Sequence, residues 1–409
     1  MSFFRPIRLG IYFDQVIHSG GGFQQSLNAA LLAKGLPNDL TTVLFFVKHR
    51  ASLAYLETLG ISSVLIAPSL IKKIVIKIRR HISYEPALNL IKNIFGPNDF
   101  EKVFIENKID LVYFLSPSEE AIDLEELNFI TTIWDLAFRE DMEFPEIRSG
   151  RAIENRERIF QRILCKALAV LVDSESGKNN VINYYRLSER RVRVMPFAKS
   201  IGIANDDNVS VASAINIVEK YSLDVPYIFY PAQFWAHKNH AYILFGLKIL
   251  ERDFGHKVGA IFSGVDKGNQ GYIVRLSNEL GLIDRIKFIG FAKNEEMPAL
   301  YKQSLALVMP TYFGPTNLPP IEAFALGVPV LYPDKDGLRD QVKDAALLIS
   351  LDEPKTMAIQ LTKLIEQEGL NSDLARKGIE LHSQIVRFDR LSVLKEILIN
   401  FRARRSTWG

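Results

Sequence analysis

Cysteine is all but missing. Cys165 is the only one in 409 residues, which rules out an intrachain disulfide framework and fits a reducing compartment. Charge of one sign is also missing: 50 Lys and Arg against 47 Asp and Glu leave a net +3, so no strong field calls for nucleic acid. No uninterrupted apolar run reaches about 18 residues, so no spanning helix is expected. The opening MSFFRPIRLGIYF enters a strand-like run without a signal-peptide core. Low-complexity tracts and short solenoid repeats are absent as well. These absences point to a cytoplasmic protein.

What remains is a globular composition, 48% apolar and 24% charged, at a length that suits two domains. Short apolar runs alternate with helical periodicity. IRLGIYF, TTVLFFV, SVLIA, LVYFL, FITTIW, LAVLVDS and VRVMPF read as strands of one series. YIFYPA, VGAIFSG, IKFIGF, LALVMP, VPVLYP and AALLIS read as a second. Apolar strands separated by amphipathic helices predict parallel sheets covered on both faces. The fold class is therefore α/β, with two doubly wound, Rossmann-like domains facing across a cleft. Expected boundaries are 1–197, a linker at 198–224, 225–385, and a C-terminal helix at 386–409 crossing back to the first domain.

Ligands of such sheets bind at the carboxyl ends of strands, so the loops there carry the candidates. Gly20, Gly21 and Gly22 open a helix after the first strand. They lack the third spaced glycine and the later acid of a dinucleotide site, which favours a loop closing over a phosphate or an acceptor. Trp134 offers a flat face for a sugar ring or a core contact, and Asp135 could orient a hydroxyl or cap a turn. In FYPAQFWAHKNH, Lys238 sits at a strand-to-helix turn suited to a phosphate, beside His237 and His240. No carboxylate or cysteine nearby completes a metal set with these histidines, and Asn239 is placed as a cap.

The stretch TYFGPTNLPPIEAFALGVPV, Thr311 to Val330, is a turn leading into a helix. Pro319 and Pro320 suit a first helical turn, where missing amides cost little. Thr316 and Asn317 can cap that helix or contact a ligand, and Glu322 lies near its first turn. A turn that offers free amides and a carboxylate suits a nucleoside diphosphate, phosphates to the amides and ribose hydroxyls to Glu322.

These segments resemble the bacterial glycosyltransferases of family 4, retaining enzymes of the GT-B fold. TTIWDLAFRE, LVDSESGKNNVINYY, RVRVMPF, FYPAQFWAHKNH, IKFIGF and the Thr311–Val330 stretch fall in that family's order. The resemblance implies a UDP, GDP or dTDP sugar as donor and a glycan or lipid-linked glycan as acceptor. It implies donor contacts from Gly21, Gly22, His237, Lys238, Gly314, Thr316, Asn317, Leu318 and Glu322. It also implies acceptor contacts from Trp134 and Asp135, with Lys238 and Asp135 as catalytic candidates. Gly314 stands where the family's Glu–seven residues–Glu pattern has its first glutamate. Gln233 and Trp134 replace a frequent Arg and His. A Gly-Pro-Thr-Asn turn marks a subgroup that often serves surface-polysaccharide or O-antigen assembly.

No carboxylate pair has glycosidase-like placement, so front-face attack without a covalent intermediate is expected. No metal is expected either; Asp334 and Asp336 read as a surface turn. Ser69 to Ile82 forms a basic amphipathic pattern, with Ile71, Ile74, Val75, Ile78 and Ile82 on one face. That pattern fits an anionic membrane surface or an ordinary packed helix. A sugar-nucleotide epimerase and a donor-binding protein without turnover are the competing readings, and the incomplete glycine motif disfavours a dehydrogenase.

Overall fold

The computed structural model describes residues 5–17, 20–66, 70–82, 86–87, 90–91, 94, 98–197, 215–314 and 316–408. Chain contacts divide it into two units. Unit 1 holds Met1–Leu136, Glu154–Pro196 and Asp389–Gly409; unit 2 holds Ala137–Ile153 and Phe197–Phe388.

Unit 1 contains β1 (Ile7–Phe13), β2 (Thr41–Val47), β3 (Ser63–Leu65), β4 (Leu111–Phe114), β5 (Asn128–Thr132), β6 (Ala169–Val172) and β7 (Val192–Val194). These strands pair in parallel in the order β3-β2-β1-β4-β5-β6-β7. Every residue of β4 and β6 is buried, as expected for a sheet covered on both faces. Tyr12 anchors an aromatic cluster beneath the sheet, edge-on to Phe100 at 5.1 Å and to Phe114 at 5.5 Å. The strand order reverses beside β1, so the chain leaves β1 and β4 toward opposite sides and opens a crevice at their ends.

Unit 2 repeats this plan with β8 (Tyr227–Pro231), β9 (Gly259–Ser263), β10 (Ile286–Phe288), β11 (Leu307–Val308), β12 (Val330–Pro333) and β13 (Leu347–Ile349). The order is β10-β9-β8-β11-β12-β13, again all parallel, with the reversal between β8 and β11. The two loops that carry the FYPAQFWAHKNH and TYFGPTNLPP motifs follow those two strands.

The unit boundaries differ from the expected ones in two places. Ala137–Ile153, assigned by sequence to the first domain, belongs to unit 2, where Glu146 binds His237 and Asp141 binds Lys335. The expected linker overlaps residues 198–214, which lie outside the described residues, but 215–224 is part of unit 2. There a short helix, Ile217–Lys220, is capped by Asn216 and buries Ile217 completely, with Leu223 beside it in the core. The Arg390–Arg405 helix packs in unit 1, where Arg402 Nη1 donates to Asp39 O at 3.0 Å and Arg390 Nε to Pro196 O at 2.7 Å.

The basic segment forms the helix Leu70–His81, but its two arginines do not face solvent. Arg79 is buried, and Arg80 forms ion pairs with Asp123 and, at 3.2 Å, with Glu119. The sequence pattern places both only among the basic residues off the apolar stripe. Two buried acids, Glu120 and Asp123, with the half-buried Glu119 beside them, need a cation, and Arg80 turns inward to supply it. Ser69 and the side chains of Lys72, Lys73, Lys77 and His81 lie outside the described residues. Ile74 is 55% exposed and Ile78 49%, so these two residues of the apolar stripe are open, while Val75 and Ile82 are half-buried. No helix among the described residues is long and apolar enough to cross a membrane. Arg80→Gln should therefore cost about 3–5 kcal/mol, because it strands the buried Asp123 carboxylate. Urea unfolding measures this, and a loss near zero contradicts an internal role for Arg80.

Candidate functional site

In unit 2 the helix Leu318–Ala325 starts from Asn317, with prolines in its first turn. Asn317 stands at the N-cap yet makes no side-chain cap, contrary to the capping expectation. Its Nδ2 instead donates to Gly314 O at 3.0 Å and to Tyr332 Oη at 2.7 Å. Its main chain pairs with the Gln341 amide: Asn317 N–H donates to Oε1 at 2.9 Å, and Nε2 donates to Asn317 O at 2.5 Å. Gly314 has φ +98°, and a Cβ there would meet the Asn317 side chain at 3.0 Å. The missing glutamate at this position thus has a local cause, since only glycine fits the turn.

The turn also offers fewer amides than expected. Pro319 and Pro320 have none, and Gln341 engages that of Asn317, so Leu318 carries the remaining N–H of the first turn. An anion here would rely on that amide, the helix dipole and a side-chain cation.

Lys238 is that cation. It ends the 3-10 turn Ala236–Lys238 after β8, and its Nζ donates to Thr311 Oγ1 and to Asn317 Oδ1, both at 3.3 Å. Asn239 adopts a left-handed conformation and makes no side-chain cap, so its expected capping role is not realised. The two neighbouring histidines part company. His240 is fully buried, stacked on Phe234 at 4.4 Å, and burial lowers its pKa to about 3, which keeps it neutral. His237 stacks on Phe313 at 4.3 Å and pairs through Nδ1 with Glu146 Oε1 at 2.5 Å; its N–H donates to the same oxygen at 3.0 Å. Burial pushes the Glu146 carboxyl up, but the His237 hydrogen bonds outweigh it and hold it at about 2.

Glu322 directly follows the first turn of its helix and is only 6% exposed. Its Oε2 accepts a 2.8 Å hydrogen bond from Tyr301. A dipole-complementing surface charge does not describe such a residue. Thr316 and Leu318 flank Asn317 in the same turn.

In unit 1 the glycine loop meets the other sequence candidates. Gly20, φ +103°, leads into the helix Gly21–Lys34, and a Cβ on Gly22 would fall 2.7 Å from the Trp134 ring. Gly22 therefore makes room for Trp134 as well as for any ligand. Trp134 Nε1 is buried without a hydrogen-bond partner, and Asp135 follows it, half-buried, past the end of β5. Asp14, absent from the sequence candidates, lies at the β1–β4 crevice and accepts from Ser116 at 2.5 Å and Ser118 at 2.6 Å. Gln341, Tyr301 and Glu146 were missed too. Position alone, at the end of a first strand, could have flagged Asp14. Asp334 pairs with Arg339 at 2.5 Å, and no group of three His, Cys, Asp or Glu able to hold a metal occurs among the described residues.

Residues 215–381, inside unit 2, match the family model for glycosyl transferases group 1. Unit 2 carries the group 1 pattern. Among curated relatives, D-inositol 3-phosphate glycosyltransferase of Salinispora tropica is 30% identical over 145 residues, 34% of this chain and 30% of that protein. O-antigen chain mannosyltransferase B of Escherichia coli is 21% identical over 253 residues, 61% of this chain and 64% of that protein. The chain thus spans less than two thirds of either relative. Among solved structures, Anabaena Alr3699/HepE in complex with UDP-glucose superposes with TM-score 0.69 at 17% identity, covering 97% of this chain and 100% of that one. WaaG, a glycosyltransferase involved in lipopolysaccharide biosynthesis, gives 0.64 at 13%, covering 95% and 98%. The fold is GT-B, built on two Rossmann-like parallel sheets.

The Glu146–His237 pair carries a pH signature. Its folded pKa lies below the unfolded one, so the pair stabilises the protein above the unfolded value. That stability is lost as pH falls toward the folded value. Glu146→Gln should lower Tm at neutral pH, and the gap to the natural chain should narrow steadily between about pH 5 and pH 2. A gap that stays constant across that range contradicts the pairing.

Proposed function

We propose that the protein is a retaining glycosyltransferase that moves a sugar from a UDP, GDP or dTDP donor to a glycan or lipid-linked glycan. The observation that carries this reading is the unit 2 turn, where Lys238 is bound to Asn317 at the head of the helix that holds Glu322. One motif thereby joins a cation for a diphosphate to a carboxylate for ribose hydroxyls. The group 1 match over the same residues supports it. His237, Gly314, Thr316 and Leu318 complete the donor contacts in this reading. Trp134 and Asp135 serve the acceptor, and Asp135 orients its hydroxyl. The likeness to an O-antigen mannosyltransferase supports a role in surface-polysaccharide assembly, at the cytoplasmic side of the membrane.

In the proposed reaction the bond from the anomeric carbon to the diphosphate breaks as the acceptor oxygen attacks from the same face. The acceptor proton passes to the leaving diphosphate. Lys238, the Leu318 amide and the helix dipole stabilise the charge that grows there, and the step needs no metal. Offered each donor class with a glycan acceptor, the protein should release nucleoside diphosphate and yield a product of retained configuration. Excess EDTA should leave the rate unchanged. Lys238→Ala should lower kcat by about 10²–10³ while donor KM changes far less. A KM effect alone, or a rate that EDTA abolishes and Mg²⁺ restores, contradicts this assignment. Donor inverted without an acceptor would instead identify an epimerase, and donor binding without turnover would identify a binding protein.

The exposed Ile74 and Ile78, on a lysine-bearing helix, support an anionic membrane surface as the second partner. The protein should bind vesicles of anionic lipid and leave them as salt rises. Ile74→Ser with Ile78→Ser should abolish that binding and spare transfer to a soluble acceptor. Indifference of the natural chain to such vesicles at low salt rules out the membrane reading.

A further inference from the structure

Glutamate is a poor choice for a buried position unless something holds its charge. Glu322 is 6% exposed, and a charge so far from water is costly unless it is hydrogen-bonded. The Tyr301 phenol supplies such a bond to Oε2 at 2.8 Å. Tyr301 belongs to the helix Met297–Lys302 and is itself fully buried. Its ring stands edge-on to Phe229 of β8 at 4.9 Å and 89°, so the donor is rigid. Pro319 O lies 3.5 Å from the same hydroxyl, which ties the phenol to the first turn of the Glu322 helix as well. Burial, then the Glu322 charge, raises the Tyr301 pKa well above its ordinary value, so the phenol keeps the proton it donates.

A purely structural pair at this place would be served as well by an apolar side chain of similar volume. We propose that Tyr301 is a positioning residue that fixes the Glu322 carboxylate for ribose hydroxyls and so sets the preference for ribonucleotide over deoxyribonucleotide donors. The proposal rests on the reading of Glu322 given under Proposed function. A glutamate side chain has three torsions to lose on engaging a hydroxyl, and a rigid buried donor settles them before the ligand arrives. A 1 Å drift of the carboxylate would forfeit much of that advantage.

The test is calorimetric binding of UDP, GDP, their 2′,3′-dideoxy forms and dTDP. The natural chain should prefer the ribose form of the nucleotide it binds by about tenfold or more, as a charge-assisted hydrogen bond implies. Tyr301→Phe should cut that ratio severalfold and leave dideoxy affinity nearly unchanged. Because both affinities are read on one sample, a partly unfolded fraction cancels from the ratio. If Tyr301→Phe proves insoluble, Tyr301→Phe with Glu322→Gln, which buries no unpaired charge, is compared with Glu322→Gln alone. The double variant should then show the lower ratio. An unchanged ratio in either comparison overturns the role of Tyr301. If the natural chain binds ribose and dideoxy forms equally, or binds dTDP more tightly than both UDP and GDP, the reading of Glu322 fails first and this proposal falls with it.

Discussion

The side chain of Asn317 holds unit 2's loops in one arrangement, because three segments meet at its amide. Its oxygen takes the Lys238 ammonium from the loop after β8, and its nitrogen binds Gly314 O in the loop after β11 and Tyr332 of β12. Gln341, beyond β12, holds the main chain of the same residue from both sides. At 8% exposure, each of these groups would be costly to leave unpaired, so the network is either whole or strongly destabilising. Few other side chains would do. An aspartate could not donate to Gly314 and Tyr332, and a serine could not span Lys238, Gly314 and Tyr332 together.

That constraint explains the odd chemistry of the turn. Prolines remove two amides and Gln341 occupies a third, which rigidifies the helix start and limits its capacity for anions. A helix N-terminus with every amide open would bind any small anion. With a single amide beside a lysine, selectivity depends more on where the charges stand than on how many donors there are.

The sheets were legible in the sequence because strands buried on both faces write themselves as unbroken apolar runs. Each run from IRLGIYF to AALLIS contains one of the observed strands. Local features were legible too, such as the prolines in the first turn of the Leu318–Ala325 helix. What was not legible depends on pairs distant in sequence. Glu146 and His237 are 91 residues apart, Asp141 and Lys335 194, and neither spacing leaves a periodic trace. The Arg80 case shows the converse error. A basic residue on an amphipathic helix reads as part of its polar face by pattern, yet buried acids 40 and 43 positions away claim it. The short range of a motif also hid Tyr301, which reads as one more apolar position in the helix Met297–Lys302 until Glu322 is placed beside it.

Neither unit is a continuous stretch of chain. Unit 2 needs Ala137–Ile153, which lies between two parts of unit 1, and unit 1 needs Asp389–Gly409, which follows all of unit 2. As the polypeptide leaves the ribosome, the first sheet can form early, but unit 1 waits for the helix Arg390–Arg405 to complete it. Meanwhile the Ala137–Ile153 strap emerges long before the loops it will hold. Long-range closure of this kind slows folding, since chain entropy is lost before the rewarding contacts form. A single cut near 197 would therefore not yield two self-sufficient halves. It would take Glu146 and Asp141 from one product and the Arg390–Arg405 helix from the other, leaving both with exposed apolar surface and a tendency to aggregate.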